Sequence, residues 1–140
     1  MLFDTSVIID ILRGFPPALS FANDLPESPS CSEITRVEVL RGMRSSERRT
    51  TERLFGSLHW VGVDESIARR AGALGRTWRR SHSGIATADL IIAASAELLG
   101  LELATMNVRH FPMIPGLQAP YAAAATAPGD AAIEPNRRPG

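Results

Sequence analysis

Short apolar runs alternate along the chain with longer stretches in which apolar residues return every three or four positions, the pattern of strands interleaved with helices. Met1-Leu2-Phe3 reads as a strand that begins at once. Thr5 or Ser6 can cap a helix whose Val7, Ile8, Ile11 and Leu12 share one face, with Gly14 as its stop. Pro16-Pro17 opens a second helix containing Leu19 and Phe21, and the turn-rich stretch from Pro26 to Pro29 follows. Ser30-Cys31-Ser32 predicts a second strand, and Thr35 starts a helix through Val37, Leu40 and Met43. Ser45 to Leu58 reads as a polar, Arg-rich helix, and His59 to Val63 as a strand. Asp64 caps a helix with Ile67, Ala71, Leu74 and Trp78 on one stripe. A loop from Ser81 to Gly84 leads to the most apolar helix, Asp89 to Leu99, which Gly100 ends. Leu101 to Thr105 is the last strand, with Asn107 to Phe111 at its carboxyl end.

This alternation predicts a three-layer α/β/α domain with a short, mostly parallel sheet flanked by helices. The domain spans 1–121. From Ala122 to Gly140 the sequence is rich in Ala, Pro and Gly and nearly free of large apolar residues, which predicts a disordered tail.

Composition narrows the function classes. A chain of 140 residues suits one domain with one core region. No apolar run reaches the roughly 18 residues of a membrane span, and no basic segment leads into an apolar one at the start. Cys31 is the only cysteine, which fits a reducing compartment, and the expectation is a cytoplasmic protein. Lysine is absent, so neither a Walker-type phosphate site nor Schiff-base chemistry is available. The net charge of zero hides an asymmetry: 11 Arg and 5 acidic residues between Arg36 and Arg80 give that block +6, and the remainder is −6. A basic block beside acids suits a polyanionic substrate, although solvated helix faces have the same composition.

Three carboxylates carry the candidate chemistry: Asp4, Glu38 and Asp89. Each opens a helix-like run after a short strand or turn, which in a parallel α/β fold gathers them at the carboxyl rim of the sheet. Each also has a purely structural reading. Asp4 can cap its helix, Thr35-x-x-Glu38 matches a capping box, and Asp89 can complement a helix dipole. Together in one cleft, three carboxylates repel unless a hard cation, Mg²⁺ or Mn²⁺, neutralises them. Ser6, Thr105 and Asn107 stand where they can orient substrate or a metal-bound water. Asp10 reads as a surface or supporting acid. His59, His82 and His110 form no zinc pattern, and His110 reads as a structural cap.

These residues resemble the PIN-domain ribonucleases, specifically the VapC toxins of prokaryotic toxin–antitoxin pairs. Asp4-Thr5-Ser6-Val7-Ile8-Ile9-Asp10 is similar to the opening motif of that family. Ile34-Thr35-x-x-Glu38-x-x-x-Gly42 resembles its second, and Asp89-Leu90-Ile91-Ile92-Ala93-Ala94-x-Ala96 its third. Thr105-Met106-Asn107-x-x-His110-Phe111, followed by Ile114-Pro115-Gly116-Leu117, resembles the closing motif. The resemblance implies a homodimer, Mg²⁺-dependent cleavage of RNA, and a cognate antitoxin that blocks the site. It carries Asp4, Glu38 and Asp89 over as metal-site and catalytic acids, and Thr105 and Asn107 as closing-motif residues. The fourth acidic position of the family falls near Asn107 or His110, neither of which is acidic, so one resident cation per chain is expected.

The resulting expectation is an endoribonuclease, the toxic component of a type II toxin–antitoxin system, with the Arg of the 36–80 block on the RNA backbone. One rival is a haloacid dehalogenase-like phosphatase with Asp4 as nucleophile; it wants a second Asp where Ser6 stands. The other is a catalytically inactive PIN fold that only docks RNA or a partner.

Overall fold

The computed structural model describes residues 1–79 and 84–125. At its centre lies a parallel sheet of β1 (Leu2–Phe3), β2 (Ser30–Ser32), β3 (His59–Val61) and β4 (Leu103–Ala104), in the order β3-β2-β1-β4. Parallel neighbours require crossovers, and helices supply all three. Helices α1 (Thr5–Leu12) and α2 (Pro16–Asn23) join β1 to β2. Helix α3 (Glu33–Gly42), a 3₁₀ turn at Ser45–Glu47 and α4 (Arg48–Phe55) join β2 to β3. Helices α5 (Glu65–Trp78) and α6 (Thr87–Leu99) join β3 to β4, and a second 3₁₀ turn, Val108–His110, follows.

The expected three-layer arrangement is present, and the strands show why. Successive strand residues point to opposite faces. Leu2 and Leu103 pack with Ile67, Ala71, Leu74 and Ile92 of α5 and α6. Phe3, Cys31 and Ala104 pack with Val7 and Ile8 of α1, Val39 of α3 and Phe55 of α4. Burial on both faces lets strands of two or three residues persist with so short a ladder.

Several boundaries follow local chemistry as expected. Asp64 Oδ1 accepts from the Ile67 amide at 2.9 Å and starts α5, which buries Ile67, Ala71 and Leu74. Pro16 opens α2. Gly100, at φ 62°, ends α6 in the left-handed conformation that glycine adopts without strain. Helix α6 itself begins at Thr87, two residues before Asp89.

Other boundaries differ, each for a physical reason. Helix α1 starts at Thr5 with Asp4, not Thr5 or Ser6, in the cap position. Helix α3 starts at Glu33, because the Ser32 hydroxyl accepts from the Ile34 amide at 3.2 Å and caps it. The face of α3 that packs is Thr35 and Val39, while Val37 and Leu40 point outward at 57% and 38% exposure. A polar contact between the Thr35 and Thr5 hydroxyls, 3.0 Å apart, sits on the buried side and overrides the apolar stripe. The helix expected over Ser45 to Leu58 breaks into the 3₁₀ turn and α4, with the Glu47 carboxylate accepting from the Arg44 amide at 2.8 Å to cap the start of the turn. β3 stops at Val61 and β4 shortens to Leu103–Ala104, since the β1 strand beside β4 offers only two residues for pairing.

The end of the described chain is fastened rather than loose up to Tyr121. Its hydroxyl donates to Asp10 Oδ2 at 2.9 Å, and its ring lies 6.0 Å from that of Phe15 and 5.9 Å from that of Phe21. Asp10 is therefore a structural anchor on α1. Ala122 to Ala125 are exposed without regular structure. Residues 126–140 of the expected tail, and His82 with most of the expected loop, lie outside the described residues. No helix among the described residues is long and apolar enough to cross a membrane.

Tyr121 and the residues beyond it therefore separate experimentally. Removing 122–140 while keeping Tyr121 is expected to leave the melting temperature within about 2 °C. Tyr121→Ala, which empties a half-buried aromatic site, is expected to cost about 1–3 kcal/mol in denaturant unfolding. A Tyr121→Ala protein as stable as the parent would show that the strap contributes nothing.

Candidate active site

Strand β1 is flanked by β2 on one side and β4 on the other, so the chain order reverses between β1 and β4. Open parallel sheets bind ligands beyond the carboxyl ends of the strands at such a reversal. Asp4 follows β1 there, and Thr105 follows β4. The Asp4 carboxylate is 2% exposed and makes no cap bond to α1. Its Oδ2 instead accepts from Thr105 Oγ1 and from Ser6 Oγ, each at 2.7 Å. Ser6 Oγ accepts in turn from the Met106 amide at 3.1 Å, and Thr105 Oγ1 from the Asn107 amide at 3.0 Å. Two hydroxyls thus hold one oxygen of Asp4, and Oδ1 is left without a hydrogen bond among the described residues. The capping reading of Asp4 is excluded by this geometry.

Glu38 is held from the opposite side. Thr5 Oγ1 donates to Glu38 Oε1 at 2.7 Å and lies 3.0 Å from Thr35 Oγ1. Because α3 begins at Glu33, Glu38 sits in the body of the helix and not at the third position. The capping-box reading fails with it.

Asp89 stands in the first turn of α6, where the helix dipole favours it. Burial pushes its carboxyl up from the usual range, and the charge of Asp4 adds to this; the adjacent His110 pulls it down, and Glu38 pushes it up again. The three acids are thus electrostatically coupled across the cleft. His110 Nδ1 lies 3.3 Å from Asp89 Oδ2, so His110 is the neighbour of a site acid rather than a helix cap. Cys31, fully buried beneath, has its thiol pushed up to about 12 by burial first and the charge of Asp4 second, which removes it as a nucleophile.

Among the described residues no three acid, histidine or cysteine side chains stand close enough to enclose an ion by themselves. The donor set is nevertheless all oxygen at its centre: three carboxylates, two of them already oriented by hydroxyls. Such a set fits a hard cation that keeps several of its waters, as Mg²⁺ does, and does not fit zinc.

The remaining candidates divide. Ser6 and Thr105 join the cluster through Asp4. Asn107 reaches it only through its backbone amide, and its exposed side chain caps nothing. The Arg block is not uniformly available. Arg36 pairs with Glu33 through two bonds and lies 3.8 Å over the Trp60 ring; Arg69 pairs with Glu65, and Arg70 with Glu97. Arg44 of that block, and Arg13 outside it, line a cavity of about 550 Å³ that Glu38, Val39 and Thr51 also line. Thr5, Thr35 and His110 read from the sequence only as capping residues, and Arg13 carries no signal there beyond its place beside the opening motif.

The raised pKa of Asp89 has a definite sign. The folded chain holds that proton more tightly than the unfolded chain, so the contribution of Asp89 favours the fold at low pH. That contribution is lost as pH rises from the ordinary carboxylate pKa through the raised one. Asp89→Asn is therefore expected to raise the melting temperature of the metal-free protein at pH 8 and to give no gain at pH 3.5, as measured by thermal unfolding in EDTA. A loss of stability at pH 8 would contradict the electrostatic picture.

Comparison with known proteins places the fold in a family. The family model for the PIN domain matches residues 1–116. Ribonuclease VapC19 of Mycobacterium tuberculosis is 45% identical over 123 residues, covering 86% of this chain and 98% of the relative. Ribonuclease VapC10 of the same organism is 42% identical over 126 residues, covering 87% and 93%. Among solved structures, a toxin–antitoxin complex from Klebsiella pneumoniae superposes with a TM-score of 0.73 at 33% identity, covering 87% of this chain and 98% of that one. Because the family model spans residues 1–116 and relatives of 45% and 42% identity cover most of both chains, the chain belongs to the PIN-domain family, among its VapC toxins.

Proposed function

We propose that this chain is a Mg²⁺- or Mn²⁺-dependent endoribonuclease, the toxic half of a type II toxin–antitoxin pair acting in the cytoplasm. The observation that carries the reading is the coupling of Asp4, Glu38 and Asp89 at the β1/β4 reversal, with hydroxyls already holding one oxygen of Asp4 and one of Glu38. A divalent cation bound there supplies neutralising charge for the scissile phosphate and a water of lowered pKa. Asp4 keeps Oδ1 free of hydrogen bonds among the described residues, and Asp89 presents a carboxylate that the cation would relieve of its repulsion. Glu38, one oxygen tied to Thr5, orients and deprotonates the attacking water. Arg13 and Arg44 line the cavity next to Glu38 and bind the RNA backbone as it leaves the cleft.

Neither rival gains support. A phosphatase using Asp4 as nucleophile wants an acid where Ser6 instead donates a hydrogen bond to Asp4 Oδ2. A binding-only module has no use for three mutually repelling acids kept in one cleft.

Partners follow from the surface. Val37 and Leu40 on the outer side of α3, and Leu98 and Leu99 at the end of α6, remain exposed. A second copy of the chain and an antitoxin are the natural cover for such apolar area. The Klebsiella pneumoniae structure, itself a toxin–antitoxin complex, supports the second of these.

Asp4→Asn or Asp89→Asn is expected to lower cleavage of a mixed RNA pool by at least about 100-fold, the rate equivalent of about 2.7 kcal/mol. EDTA is expected to abolish cleavage and Mn²⁺ to restore it. Arg13→Ala and Arg44→Ala are expected to weaken RNA binding several-fold, more at low salt than at high. Wild-type cleavage by Asp4→Asn with Mg²⁺ present would overturn the assignment. Expression without antitoxin is expected to arrest growth, and undiminished growth at high expression would remove the toxin role.

A further inference from the structure

Thr5 and Thr35 belong to none of the candidate acids, yet their hydroxyls end on one of them. Thr5 Oγ1 is 2.7 Å from Glu38 Oε1 and 3.0 Å from Thr35 Oγ1. A threonine hydroxyl has a single proton to give. With Glu38 as a carboxylate, which only accepts, Thr5 spends that proton on Oε1. Thr5 must then accept from Thr35. The three groups form a directional chain, Thr35 to Thr5 to Glu38, running from α3 to α1 and back to α3. Thr5 is 8% exposed and Thr35 not at all, so little water reaches the two hydroxyls. Donation from Thr35 also strengthens Thr5 as a donor.

Glu38 needs such a hold. It is only partly buried and sits on the wall of an open cavity. On a bare helix its side chain would sample several rotamers, and a site must fix that choice before a ligand arrives. We propose that Thr5, backed by Thr35, is a positioning residue that holds the Glu38 carboxylate in its cation- and water-binding orientation before cation or RNA enters. The proposal rests on the reading of Glu38 as a site acid.

Serine and valine at position 5 separate this role from packing. Serine keeps the hydroxyl and loses the methyl group; valine keeps the shape and loses the hydroxyl. Calorimetric titration of Mn²⁺ into the full chain, beside cleavage of an RNA pool, is expected to show Thr5→Val weakened about tenfold in both and Thr5→Ser within about twofold of the parent. Thr35→Val, one bond further back, is expected to lose about threefold. In a Glu38→Ala background Thr5→Val is expected to add nothing, because its acceptor is gone. If Thr5→Val fails to fold because the Thr35 hydroxyl loses its partner, Thr5→Val/Thr35→Val removes both hydroxyls together and takes its place.

Parental Mn²⁺ affinity in the hydroxyl-free variant, or a larger loss in Thr5→Ser than in Thr5→Val, would overturn the relay while leaving Glu38 in the site. Full Mn²⁺ affinity and cleavage in Glu38→Ala would instead remove the underlying assignment of Glu38, and the relay with it.

Discussion

The hydrogen bond from Thr105 to Asp4 is the contact on which the cleft depends. β1 and β4 pair over two residues only, Leu2 with Leu103 and Phe3 with Ala104. One step beyond that ladder the chain has no strand partner left, and the Asp4 amide closes on the Ala104 carbonyl at 2.9 Å. The side chains then take over from the backbone. Thr105 Oγ1 reaches Asp4 Oδ2, Ser6 reaches the same oxygen, and the Met106 and Asn107 amides bind back to those two hydroxyls. A sheet that would otherwise fray at this two-residue pairing is sealed by one of the carboxylates that give the cleft its charge. Bonds to a charged acceptor are worth about 1.5–3 kcal/mol, comparable with what a two-residue ladder can provide.

The acids are treated unequally. Asp4 has two hydroxyl donors and Glu38 has one, each within 2.7 Å. Among the described residues Asp89 has His110, at 3.3 Å, and its own proton affinity is raised. Burial in the first turn of α6 is the first cause, with the charge of Asp4 second.

How much of this was legible in the sequence depended on whether the decisive partner was local. The Asp64 cap, the Pro16 helix start and the Gly100 stop rest on chemistry within a few residues, and each stands where the pattern put it. A parallel sheet follows from alternation alone, and with it the expectation that Asp4, Glu38 and Asp89 gather at one rim. On helix α3 the apolar stripe does not mark the buried face, because that face carries Thr35, whose hydroxyl meets Thr5 of α1, thirty positions away. The hydroxyl network was hidden for a related reason. Serine and threonine beside a helix start look like caps, and nothing local distinguishes a cap from a donor to a carboxylate across the sheet. Ser32 does cap, whereas Thr5 donates to Glu38, and Ser6 and Thr105 to Asp4. His110 was visible in the closing motif, but its partner lies on another helix.

Cys31 gives the molecule an experimental handle of its own. It lies on β2 in register with Phe3, fully buried, with a thiol held far from ionisation at neutral pH. Thiol-reactive probes attack the thiolate, so they pass the native protein by and react once the sheet opens. The rate of labelling thus counts openings of the β1–β2 pair directly beneath Asp4, with no engineered reporter. For the same reason a single cysteine introduced on the surface takes a dye or spin label without background from the natural one.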